Sequence, residues 1–77
     1  MIMIDVRRRI ASDSCATELH VFAQRIGLGQ REFDTDGRIL KGKPVYLLPL
    51  RHRLRLAIQA GASPVAIAEL EKRAVER

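Results

Sequence analysis

The chain has 77 residues and a formal net charge of +5, and it is 47% hydrophobic but only 4% aromatic. That length holds one core, and the composition is that of a folded domain, which excludes an intrinsically disordered chain. The rings of Phe22, Phe33 and Tyr46 are too few for a stacking platform on single-stranded nucleic acid, and a single cysteine, Cys15, excludes a disulfide framework or a zinc set.

At the start, MIMIDVR alternates: Ile2, Ile4 and Val6 point one way, Met1, Met3 and Asp5 the other. This predicts a half-buried strand. RRRIASDS reads as a connector, with Ser14 as the N-cap of the following helix. Cys15, Leu19, Phe22, Ala23 and Ile26 then form an apolar stripe at helical spacing. Gly27 supplies the left-handed residue that closes the helix, and Arg25 suits its last turn.

REFD predicts a short strand around Phe33, TDG a turn at Gly37, and RILKGK an exposed glycine-broken segment. PVYLL is β-branched and aromatic, a further short strand beginning near Pro44. Pro49 is expected in the first turn of the next helix, whose apolar stripe is Leu50, Leu54, Ala57 and Ile58 and whose end is Gly61. Ser63 and Pro64 are expected to open the last helix, with Ile67, Leu70 and Ala74 as its buried face. The expectation is a single α+β domain over residues 1–77. A small sheet of two to three short strands packs against three helices in the order β-α-β-β-α-α.

The residues that could carry chemistry fall into three sets. Asp5, Asp13, Glu18 and Asp34, with His20, are the types that a metal-dependent nuclease gathers. Spacing alone brings none of them together, and separate surface carboxylates with a half-buried, singly hydrogen-bonded His20 are the plainer reading. The cations cluster as Arg7, Arg8 and Arg9 and again as Arg51, Arg53 and Arg55 with His52. A basic excess attracts nucleic acid, an acidic partner protein or an anionic surface, or serves solubility. Third, LAIQAGASPVAIAEL has helix-turn-helix spacing through Ala57, Gly61, Ile67 and Leu70. Its second helix nevertheless offers Pro64, Val65, Ala66, Ala68 and Glu69 where a DNA reader needs Arg, Asn, Gln or Lys.

With these segments in view, the chain resembles the domain-of-unknown-function family 4031. The likeness runs through a first strand ending at Asp5, a connector with Ala11, Asp13 and Ser14, and above all ELHVFA (Glu18 to Ala23). It continues in VYLLPLRHRLRLAIQAGA through Tyr46, Leu48, Arg53, Ala57, Gly61 and Ala62. The chain departs from that pattern at Val45 and Leu47, which flank the tyrosine where the family shows His and Asp. It also lacks the family's His before the Ala-Asp segment, and carries Phe33 where Trp is usual. The resemblance implies the fold and a bacterial or phage setting.

These readings converge on a small basic binding module without cofactor, acting by binding and not by catalysis. A cytoplasmic site is expected, since a lone thiol fits a reducing compartment and no apolar run is long enough to span a bilayer. The expected surface is Arg51, His52 and Arg55, then Arg7, Arg8 and Arg9. The expected partner is nucleic acid or a nucleic-acid-binding host complex, as for a phage or prophage accessory protein that inhibits a host defence. The alternatives are a metal-dependent nuclease built on Asp5, Asp13, Glu18 and His20, a helix-turn-helix DNA binder through residues 50–76, and a structural homodimer.

Overall fold

The first two strands make a hairpin: β1 (Ile2–Ile4) runs antiparallel to β2 (Arg9–Ser12), with Ile2 opposite Ser12 and Ile4 opposite Ile10. The computed structural model describes residues 1–76. Asp5 organises the turn. Its Oδ1 accepts from the backbone N–H of Arg7 and of Arg9, at 3.0 and 3.1 Å, and Arg8 takes up a left-handed conformation at φ 66°. The chain continues through α1 (Ala16–Arg25), a short 3-10 turn (Gln30–Glu32), β3 (Tyr46–Leu47), α2 (Leu54–Gln59), β4 (Ser63–Pro64) and α3 (Ile67–Arg73). The sheet order is β3-β2-β1-β4, antiparallel except for the parallel pair of β1 and β4.

The fold is therefore α+β as expected, with four strands in place of two or three and the order β-β-α-β-α-β-α. RRRIASDS is not a plain connector: its middle, Arg9–Ser12, is β2. Its lack of alternation has a physical cause, because the sheet is covered on both faces. Ile2, Ile4 and Ile10 meet Leu19, Phe22 and Ala23 of α1 and Ala57 of α2. Met3 and Ala11 point the other way, against Leu40, Val45, Leu70 and Ala74. So β1 is fully buried, not half-buried, while Val6 lies beyond its end and is 76% exposed. The segment expected to be exposed around Arg38–Lys43 instead tucks Leu40 into this second core.

α1 forms as its stripe requires, but its caps differ from expectation at one end. Ser12, not Ser14, serves the helix start: its Oγ accepts from the N–H of Ser14 (3.0 Å) and of Cys15 (3.2 Å). Cys15 is the N-cap and is exposed, so it does not belong to the core. At the other end Gly27, at φ 81°, donates to Gln24 O, and Leu28 donates to Ala23 O at 2.8 Å. That pair of bonds is the Schellman arrangement, which closes a helix through a left-handed glycine.

Three expectations after α1 fail for a common reason: backbone groups are bonded elsewhere. Phe33 forms one isolated bridge with Tyr46 after the 3-10 turn, not a strand. Pro49 and Leu50 are not helical; the guanidinium of Arg8 takes the carbonyls of Leu48 and Pro49, and that of His52. This holds the segment as a turn, leaves Leu50 89% exposed, and delays α2 to Leu54. Ser63 and Pro64 do not open a helix but pair with Met3 and Ile4 as β4. A strand thus separates α2 from α3, and their buried residues, Ala57 and Leu70, belong to cores on opposite faces of the sheet. A helix-turn-helix unit is not formed.

Candidate functional site

The acidic residues and His20 are not brought together. Asp5 is buried at the hairpin turn, where its Oδ2 lies 2.8 Å from Arg9 Nη2, and Arg9 Nη1 reaches Glu71 Oε2 at 3.1 Å. Asp13 and Glu18 meet at the opposite end of β1, around the Met1 ammonium at 2.8 and 2.9 Å, and Arg73 caps Asp13 at 2.6 Å. The ammonium's hydrogen bond, then Arg73 and Ser14, hold the Asp13 carboxyl below its ordinary range. The Ser12 hydroxyl, donating at 2.6 Å, and then the ammonium do the same for Glu18. Asp34 is spent on the loop that follows it, where its Oδ2 accepts from Ile39 N–H at 2.7 Å. Among the described residues, no group of three or more His, Cys, Asp or Glu side chains is placed to hold a metal ion. The constellation expected of a metal-dependent nuclease does not assemble.

His20 lies on α1 at the wall of the first core. Its Nδ1 is 2.7 Å from the Tyr46 hydroxyl, and its ring meets Phe33 edge-on at 4.9 Å between centroids. Burial pushes the Tyr46 phenol up from its ordinary value, so the hydroxyl keeps its proton. The half-buried, singly bonded histidine is thus as expected. What spacing did not show is its partner: ELHVFA and VYLLP, the two stretches of the resemblance, meet at this contact. They open on a cleft of about 380 Å³ lined also by Gln24, Leu28 and Gln30.

The six cationic candidates divide by what they touch. Arg8 and Arg9 are absorbed, one by the carbonyls of the 48–52 turn and the other by Asp5 and Glu71. His52 is part-buried, its carbonyl held by Arg8. Arg51 is exposed but sits in the turn before α2, 4.0 Å from Glu32, so it does not stack on Arg55 along one helix. Arg7 and Arg55 are exposed to solvent.

The fold also builds a feature that composition could not reveal. Between the hairpin turn, α2 and the segment after β4 lies a groove of about 220 Å³, lined by Ile4, Val6, Leu54, Ile58, Pro64 and Val65 with the ion-paired Asp5. Arg7 follows Val6 directly, and Arg55 lies about 60° round α2 from Ile58 at 100° per residue. The signal for Val6 and Ile58 was in the sequence, as apolar residues beyond the end of a strand and at the edge of a helix stripe. Spacing alone assigns both to the core, whereas Val6 lies past the end of β1 and Ile58 sits at the exposed edge of the α2 stripe.

Among the described residues no helix is long and apolar enough to cross a membrane. No curated protein and no solved structure matches the chain. A family model does, over residues 6–77, which takes in α1, the His20–Tyr46 contact and the groove residues from Val6 onward. The chain accordingly belongs to the family described as Protein of unknown function (DUF4031).

Proposed function

We propose that this protein is a binding module whose partner is another protein, docked through an acidic segment with apolar side chains. The observation that carries this is the groove beside β4: an apolar floor of Val6, Leu54, Ile58 and Val65, with the exposed Arg7 and Arg55 next in sequence to its lining residues Val6 and Leu54. Apolar centre and charged rim are the ordinary anatomy of a protein interface. Arginine pairs bidentately with carboxylate, so these two arginines select for Asp and Glu on the partner.

Other occupants fit this groove less well. Nucleic acid would use the arginines and leave the apolar floor without a match. A second copy would bring the same arginines face to face, a like-charge contact. An added partner strand is discouraged because Pro64, on the edge strand, lacks the N–H a ladder needs. A phage or prophage accessory protein, working in the cytoplasm against a host complex, is the setting in which we place this activity, on the strength of the family resemblance.

The test is a selection of random peptides displayed on particles against the wild-type protein, repeated with Val6→Asp and with Arg7→Glu/Arg55→Glu. Enriched peptides should combine acidic and large apolar residues, and neither variant should retain them. Peptides that bind all three proteins equally would overturn the reading. So would an empty selection accompanied by nucleic-acid binding that is lost in the double arginine variant.

A further inference from the structure

The cleft beneath His20 is separate from the groove, and its lining has a different chemistry. It carries no Asp, Glu, Lys or Arg: the polar side chains are His20, Gln24, Gln30 and Thr35, and the walls are Leu28, Gly29, Phe33 and Tyr46. We infer that this cleft binds a planar, uncharged heterocycle of nucleobase type, read along its hydrogen-bonding edge.

The argument starts from the histidine. The 2.7 Å contact between His20 Nδ1 and the Tyr46 hydroxyl engages one ring nitrogen and leaves Nε2 as the other hydrogen-bonding nitrogen of the ring. Tyr46 thereby holds the imidazole in place, with Nε2 as its second polar atom. Gln24 sits one helical turn beyond His20 on the same face of α1. Gln30 faces the cleft from the 3-10 turn on the other side. Each amide offers a donor and an acceptor side by side, the pattern that pairs with a base edge in two bonds.

The uncharged lining narrows the ligand class. An anion or cation would find no counter-charge in the lining and would be desolvated without a partner. A purely apolar ring would cover Gln24, Gln30 and His20 Nε2 without bonding them. The volume is at the small end of the range of about 300–1,000 Å³ for ligand pockets, which suits one ring system with a substituent. Free nucleosides and nucleotides turned out of a single strand present that same ring.

The experiment is an NMR titration of the full chain with adenosine, guanosine, cytidine and uridine, with phenol and benzoate as controls. A short mixed-sequence single-stranded oligonucleotide is run in parallel. At least one nucleoside should produce saturable shifts at His20, Tyr46 and the Gln24 side-chain amide that phenol and benzoate do not reproduce. Gln24→Ala and Gln30→Ala, both at exposed positions and each checked for a native amide spectrum, should weaken binding about tenfold. Val6→Asp, in the groove, should leave it unchanged. Tighter binding of the oligonucleotide than of the nucleoside would assign the ring to a strand, and the reverse would assign it to a free ligand. No saturable shift with any probe, an equal response to phenol, or unchanged affinity in both glutamine variants would overturn the inference.

Discussion

At Arg8, one side chain sets the course of a distant segment. Its left-handed backbone, φ 66°, is uncommon for a residue with a Cβ, and its guanidinium bonds carbonyls forty and more positions away. Arg8→Ala should cost about 2 kcal/mol in chemical denaturation, and Arg8→Lys should recover little of it, because an ammonium cannot reproduce the planar fork. The neighbouring Asp5–Arg9 pair is buried on both sides, with side-chain exposures of 0% and 6%. Asp5→Ala leaves Arg9 with only the half-exposed Glu71 and unties the Arg7 and Arg9 N–H groups, so it should cost about 3 kcal/mol by the same measurement. Glu18 gives a prediction in pH. Its folded carboxyl titrates below the ordinary 4.5, first because Ser12 donates to it. Its contribution to stability is thus complete above about pH 4.5 and is lost as pH falls through the lower folded value. Ser12→Ala should move the Glu18 titration, followed by its carboxyl carbon signal, back toward 4.5. A titration that stays where it was would show that the hydroxyl is not the cause.

At the level of elements, α1 was legible because its signals agree: an unbroken stripe through Leu19, Phe22 and Ala23, and Gly27 to close it. Leu19 is fully buried at the centre of that stripe, so Leu19→Ala should lower stability by about 2–4 kcal/mol; an unchanged unfolding midpoint would remove it from the core. The strands were less legible. β2 reads as a linker because both its faces are buried and no alternation survives in Arg9–Ser12. β3 and β4 have two residues each, too few for any period, and Ser63–Pro64 carries the local signature of a helix start. There the parallel pairing with β1 overrides local preference. The candidate site was legible in part for the same reason. Arg7 and Arg55 are exposed as their chemistry suggests, but the partners that absorb Arg8 and Arg9 come from the 48–52 turn and from Glu71, contacts that no local pattern encodes.

Across the whole molecule, the arginines of the two named clusters divide between structure and surface: Arg8 and Arg9 hold the fold, and Arg7, Arg51, Arg53 and Arg55 are exposed. The turn and the buried pair consume two of these charges to hold the fold, and Arg7 and Arg55 adjoin in sequence the groove residues Val6 and Leu54. That division is the central claim, and amide shift mapping on the labelled protein tests it most directly. An acidic, leucine-containing peptide and a short DNA duplex are titrated separately, at low and at moderate salt. With the peptide, the largest shifts should fall on Val6, Arg7, Leu54, Arg55 and Ile58. Binding should weaken with salt yet persist, because the apolar floor is not screened. Shifts concentrated on these residues with the duplex alone, or peptide shifts scattered over the arginines regardless of the groove, would contradict it.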